Sequence, residues 1–420
     1  MKKMLLMLII MGIFMIPAVD GINPVWAEET DALIEVLQKK GILTPQEAKE
    51  VLSEIQVEKD KKKAAVEASV KEVAREAFKL PKWVEHTKLK GDLRFRYQYE
   101  DKDDSNKRRD RWRIRWRFGL ETEINEKWKT GFQLASGMDN DPRSRNLTME
   151  NTFDTSNVQL DLAYLQFDPT DYWRLVAGKF KNPLWQTKDL LWDSDVNPEG
   201  VAVQFHKFKI NNFEVFVTPG FFVLDEFKTD THDPWLGLIQ AGANVELTDS
   251  LSFKFAGAYY SFQNLKGNDF DHSSETNSRD ANGNFEDDYD AVGIDAELGM
   301  KLSDPVPYVG IFGQYVNSDQ GDDDTGYLAG IKFGHKKVKA FGQWEVKYNY
   351  RRLEKDAWPD FLPDSDFYGG QTDVEGNEIE FTFGLAKNVT FGVDYYLSER
   401  IDREPDDEQN LVQVDLVVKY

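Results

Sequence analysis

Two short stretches of this sequence place arginine at every second position. Arg94 and Arg96 alternate with Leu93, Phe95 and Tyr97, and Arg113, Arg115 and Arg117 alternate with Trp112, Ile114, Trp116 and Phe118. Guanidinium groups stay charged at any working pH, so such rows make permanent positive surfaces suited to orienting ions and polar solutes. No catalytic constellation accompanies them. The histidines, His86, His206, His232, His272 and His335, fall in no HExxH or paired-ligand spacing. A Ser–His pair of the kind a barrel lipase needs is not readable from spacing alone. The chain has no cysteine, which excludes disulfides, thiolate metal sites and cysteine nucleophiles. Acidic clusters are numerous, among them Asp269, Asp271, Asp280, Glu286, Asp287, Asp288 and Asp290. The segment "DANGNFEDD" (280–288) begins like a calcium loop but has Phe285 where an EF-hand needs glycine. Loop carboxylates bridging through divalent ions to lipopolysaccharide and a merely solvated acidic surface both fit. No enzyme activity, cofactor or metal ligand is expected. The net charge of −22 argues against a nucleic-acid partner.

These residues must be positioned by strands. From about residue 88 the hydrophobic period is 2, which sends successive side chains to opposite faces of a sheet. Arginines opposite five large apolar residues suit no soluble sandwich. They suit a membrane barrel whose apolar face meets lipid and whose charged face lines a wet lumen. The fold class expected is all-β: an antiparallel transmembrane β-barrel of about 16 strands, at 88–99, 110–124, 128–138, 156–168, 172–181, 198–208, 212–220, 235–248, 251–263, 288–302, 305–318, 324–335, 338–351, 376–386, 389–400 and 409–420. The connections alternate short and long. Short turns belong on the periplasmic rim and long loops, including 182–197 and 352–375, on the extracellular one. The last strand ends on the apolar row Val412, Val414, Leu416, Val418 and Tyr420, as a strand closing a barrel would. A high aromatic fraction of 13% agrees with strands and interfacial belts.

Two segments precede the barrel. Lys2 and Lys3, the apolar run 4–16, Pro17 and the small residues Val25 and Ala27 read as a secretory signal peptide spanning 1–27. Residues 28–86 read as a short α-helical periplasmic segment. Thr44-Pro45-Gln46-Glu47 forms a capping box, and Val66, Val70, Val73, Ala77 and Leu80 make a narrow coiled-coil-like seam. A helical spacer and an oligomerisation stalk are both open. The barrel is expected over 87–420, giving a protein of the cell outer membrane exported through a cleavable signal.

The words of the sequence add to its rhythm. "GDLRFRYQYE" (91–100), "RWRIRWRFGLE" (111–121), "LDLAYLQFDP" (160–169) and above all "AGKFKNPLWQTKDLLWDSDVNPEGVAVQF" (177–205) resemble the bacterial putative-porin family, as does the lead "LIEVLQKKGILTPQEAKEV" (33–51). The resemblance implies a water-filled channel for passive diffusion of small hydrophilic solutes or ions, set in outer-membrane lipid and lipopolysaccharide, with a homotrimer possible through the seam. It also implies that the loop 182–197 folds into the barrel. Leu184, Trp185, Leu190, Leu191 and Trp192 would anchor it to the inner wall, and Asp189, Asp193, Asp195 and Glu199 would face Arg94, Arg96, Arg113, Arg115 and Arg117 across an aqueous gap. The resulting transverse field would set ion preference, with no sign assigned because the two sets of charges partly cancel. The alternative for the arginines is pairing with Glu121 and Glu123. Alternative functions are a structural tether or adhesin, which would depend on residues 28–80, and a barrel enzyme, which would turn over lipid without conducting.

Overall fold

The computed structural model describes residues 82–420 except 103–106, 138–140, 229–231 and 403–406, with a few isolated positions between 39 and 53. The signal peptide expected at 1–27 and the seam at 66–80 lie outside the described residues.

Sixteen long strands form one antiparallel sheet: β1 (Thr87–Lys102), β2 (Lys107–Glu123), β3 (Trp128–Ser136), β4 (Val158–Thr170), β5 (Trp173–Lys179), β6 (Glu199–Ile210), β7 (Phe213–Val223), β8 (Trp235–Glu246), β9 (Leu251–Gln263), β10 (Tyr289–Lys301), β11 (Tyr308–Ser318), β12 (Thr325–Gly334), β13 (Trp344–Leu353), β14 (Val374–Ala386), β15 (Val389–Arg400) and β16 (Glu408–Lys419). A two-residue ribbon, Leu147–Thr148, continues the pairing of β2 where β3 has ended. The sheet closes because β1 pairs with β2 on one side and β16 on the other, with Leu93 opposite Val418 and Tyr99 opposite Val412. Closure leaves no strand edge, which a lipid environment demands. The seam ends tightly. Gly91 and Tyr420 exchange backbone hydrogen bonds of 3.0 and 3.1 Å, and the Tyr420 hydroxyl donates to the Arg117 carbonyl at 2.8 Å. A Cβ at Gly91 would strike that carbonyl and the Tyr420 ring.

Strand parity explains the rest. Outward positions are large and apolar and stay exposed, for example Leu93, Trp112, Leu165 and Ile311 at 46, 50, 57 and 57%. A continuous apolar band of this kind is stable only against hydrocarbon. Aromatic pairs border it near the short turns, Trp128–Phe167 and Trp173–Phe205 with ring centroids 4.6 and 4.9 Å apart. Towards the long loops, tyrosines reach polar partners, such as Tyr259 to Asp290 at 2.8 Å and Tyr395 to Asn410 at 2.7 Å. Both belts suit residues with an apolar body and a polar tip at a membrane interface.

One expectation is corrected. The strand expected at 338–351 begins only at Trp344, and residues 335–343 form a folded turn. The alternation Lys337-Val338-Lys339-Ala340-Phe341 imitates a strand, but Gly334 and Gly342 take φ of +112° and +80°, which breaks the extended run. The long loop expected at 352–375 is present and also turns inward, for reasons that belong to the site.

Candidate functional site

Inward-facing residues divide the lumen into two unlike sides. From β7 to β12 the wall nearer the long loops is apolar, with Phe222, Leu236, Leu238, Tyr260, Phe262 and Leu328 all buried. From β13 round to β4 it is charged. The loop 180–198 between β5 and β6 packs Leu190, Leu191 and Trp192 onto the apolar side, each no more than 2% exposed. The loop 354–373 between β13 and β14 joins the same cluster through Trp358, Phe361 and Leu362. The Trp358 ring meets Trp192, Tyr260 and Phe262 edge-on at 6.0, 4.8 and 5.1 Å. Burial of these rings folds both loops inward, since the alternative is apolar surface in water. The loop between β9 and β10 braces the second one. Asp360 accepts from Ser273 Oγ at 2.6 Å and Thr276 N at 2.7 Å, and Asp356 accepts from Ser278 N at 2.8 Å and the Tyr289 hydroxyl at 2.9 Å.

The two inward loops carry the same three residues at their turning points, Asp193-Ser194-Asp195 and Asp364-Ser365-Asp366. In each, the second aspartate's backbone N–H donates to the first one's carboxylate, at 2.8 Å from Asp195 and 3.0 Å from Asp366. Such turns are a local preference of aspartate. The turns also interlock: Ser365 N donates to Asp193 at 2.8 Å, and Asp193 N donates to the Leu362 carbonyl at 2.8 Å.

The second aspartate of each turn meets the arginine wall directly. Asp195 lies 3.2 Å from Arg117 and 3.6 Å from Arg115. Asp366 accepts from Arg96 at 3.1 Å, while Arg96 Nε and Nη2 grip both oxygens of Asp415 at 2.7 and 2.8 Å. Asp92 accepts from Arg115 at 3.1 Å and from Arg117 at 2.7 Å. Burial alone would raise the carboxyl of Asp195, but Arg115, Arg117 and Arg94 hold it below the usual range. Asp366 is held down in the same way by Arg96, Arg94 and Arg113. Asp193 is pushed up by burial and by the neighbouring Asp195. Two arginines are less well matched. Arg94 donates to the Asn146 amide oxygen at 2.6 Å, and its nearest carboxylate oxygen, on Asp415, is 3.7 Å away. Arg113 donates to the Gln98 amide oxygen at 2.9 Å. The buried Nε of Arg94, of Arg111 and of Arg113 finds no acceptor among the described residues.

The expected site residues therefore separate. Arg94, Arg96, Arg113, Arg115 and Arg117 do share one inward wall, and Asp195 reaches it. The contact is direct ion pairing, not opposition across an aqueous gap. Asp193 faces the second loop. Asp189 points to another part of the charged side, where Arg351 of β13 reaches it at 3.0 Å, and it also pairs with its neighbour Lys188 at 2.9 Å. Lys188 also meets Glu378 at 2.9 Å and Glu380 at 3.1 Å, and Arg351 also pairs with Glu378. Glu199 is no part of the constriction. It opens β6 on the same parity as the outward Val201 and pairs with Lys179 at 2.6 Å on the outer rim. Glu121 and Glu123 do not serve the arginines either, because Lys90 and Lys88 take them at 2.6 and 3.1 Å.

Sequence reasoning missed Asp364, Asp366 and Arg351. For the two aspartates the signal was present: "AWPDFLPDSDFYGG" (357–370) is as aromatic and as rich in proline and aspartate as the loop before β6.

Comparison with known proteins follows the same lines. A family model described as putative porin matches residues 101–293 and 288–420. Among solved structures, the chain is similar to OprB of Pseudomonas putida at high pH, with 11% identity over 80% of this chain and 95% of that one and a TM-score of 0.53. It is also similar to Salmonella typhi OmpF in complex with daunomycin, at 11% identity over 80% and 97% of the two chains and a TM-score of 0.49. At such identities the likeness is one of fold. No curated protein matches the sequence.

Proposed function

The chain belongs to the putative porin family and forms an outer-membrane channel for passive diffusion of solutes, and we propose that it is filtered at mid-depth by the arginine wall and the two Asp-Ser-Asp turns, with a preference for anions. One observation carries the preference. Of the five inward arginines, Arg96, Arg115 and Arg117 pair closely with Asp92, Asp195, Asp366 and Asp415, whereas Arg94 stays 3.7 Å from Asp415 and Arg113 donates to the Gln98 amide. The uncompensated charge sits with Arg94 and Arg113, whose buried Nε donors lack acceptors. An unpaired buried donor costs free energy, and a passing anion relieves that cost where a cation deepens it. The apolar side of the lumen is filled by loop side chains, so a hydrated solute travels along the charged side. In a narrow, poorly screened passage such poorly matched charges set ion preference.

The test is the reversal potential in a salt gradient across a planar bilayer. Wild type is expected to prefer chloride over potassium. The Arg113→Gln, Arg115→Gln, Arg117→Gln variant is expected to shift towards potassium. An intact, conducting variant with the wild-type reversal potential would remove this wall as the filter.

A further inference from the structure

We propose that a lysine-lined basin at the periplasmic mouth binds a small multivalent oxyanion, at a site separate from the mid-depth filter. The basin encloses about 550 Å³ between the turn 335–343, the β14–β15 turn and the end of β16, within the range of roughly 300–1,000 Å³ typical of small-molecule sites. It lies on the rim of the short turns, where both ends of the barrel emerge.

Its walls are held in place by backbone bonds. Asn388 N donates to the Lys339 carbonyl at 3.0 Å, Lys419 N to the Asn388 carbonyl at 2.9 Å, and Gly384 N to the Gln343 carbonyl at 2.8 Å. Gln343 Oε1 accepts from Lys339 N and Ala340 N at 2.7 and 3.0 Å, which closes the turn on itself. The turn that sequence alternation disguised as a strand is therefore a fixed shelf carrying Lys336, Lys337 and Lys339.

The lysines fall into two sets. At the floor, Lys188 of the β5–β6 loop pairs with Glu378 and Glu380 at 2.9 and 3.1 Å, Lys332 with Glu297 at 2.9 Å, and Lys347 with Glu345 and Glu380 at 3.1 and 3.3 Å. At the rim, Lys336, Lys337, Lys339 and Lys419 have no carboxylate partner among the described residues. In a chain of net charge −22 with 74 acidic residues, Lys337, Lys339 and Lys419 line one rim without such a partner, and Lys336 adds its charge beside the Tyr308 ring, near Glu297. Together they concentrate negative charge from solution. The set contains no arginine, so it lacks the planar fork that fixes one carboxylate. Flexible, strongly hydrated point charges suit an oxyanion whose charges are spread over several groups. Thr187, Thr382, Asn388 and Thr390 line the same basin with neutral hydrogen-bonding groups.

Tripolyphosphate is the probe. Titrated into the detergent-solubilised full chain at low salt, it is expected to bind, and more weakly as salt rises. The variant Lys336→Gln, Lys337→Gln, Lys339→Gln, Lys419→Gln is expected to weaken that binding by about tenfold or more. These side chains are exposed and outside the filter, so at high salt, where charges at the mouth are screened, the variant should keep the wild-type reversal potential. In bilayers, tripolyphosphate should block current at lower concentration from the short-turn side than from the long-loop side. Binding unchanged in the variant, or block that is equal from both sides, would overturn the proposal. The arginine variant serves as the converse: it should alter reversal potential while leaving tripolyphosphate affinity in place, so the two readings fail separately.

Discussion

Replacing Arg96 by Gln is expected to cost the barrel about 3–5 kcal/mol, the effect of removing one partner from a buried ion network. Arg96 is 2% exposed and holds Asp415 with two donors and Asp366 with a third. It spans the β1–β16 seam and also anchors the turn of the second inward loop. Its loss would leave two carboxylates in a poorly solvated lumen with only more distant arginines to offset them. Urea unfolding in phospholipid vesicles, followed by tryptophan fluorescence, should show the midpoint fall. The double variant Arg96→Gln, Asp415→Asn removes a charge from each side and should recover a large part of the loss, which a double-mutant cycle reads directly. A single variant as stable as wild type would mean that solvent already screens this network.

Trp358→Ala is the second large effect. Trp358 is fully buried and touches the other inward loop through Trp192 and the wall through Tyr260 and Phe262. Truncating a buried tryptophan costs about 3–5 kcal/mol. Here the cost falls on the loops more than on the strands, because strand pairing does not pass through Trp358. The expected result is a barrel that still closes, with higher and noisier single-channel current as both turns leave their seats. Unaltered current in the folded variant would show that the apolar cluster does not hold the turns in the conduction path.

Much of this was legible in the sequence. Period-2 alternation places fifteen of the sixteen strands to within a few residues, because each inward or outward side chain is fixed by parity once one face is known. The arginine wall follows from the same parity, as do Asp92 and Asp415. Parity also shows where the reading of Glu199 went astray: that residue belongs to the strand, and with Val201 it points outward. What alternation cannot report is which loops meet in space. Asp189 and Arg351 are 162 residues apart, and their pairing depends on the β5–β6 loop folding into the lumen against β13. The turn 335–343 was hidden for the opposite reason, since a folded turn can repeat the alternation of a strand.

If the Asp-Ser-Asp turns line the conduction path beside the arginine wall, a charge placed on either turn must act on passing ions. Ser194 sits between Asp193 and Asp195 and is exposed where both neighbours are buried. The chain has no cysteine of its own, so Ser194→Cys gives a single reactive thiol. Methanethiosulfonate reagents of opposite charge are then applied while single-channel current and reversal potential are recorded. Either adduct is expected to reduce current. The sulfonate adduct should move the reversal potential towards cations and the ammonium adduct should move it towards anions. Complete modification, verified by mass, with current and reversal potential both unchanged would contradict a place for the turns in the conduction path.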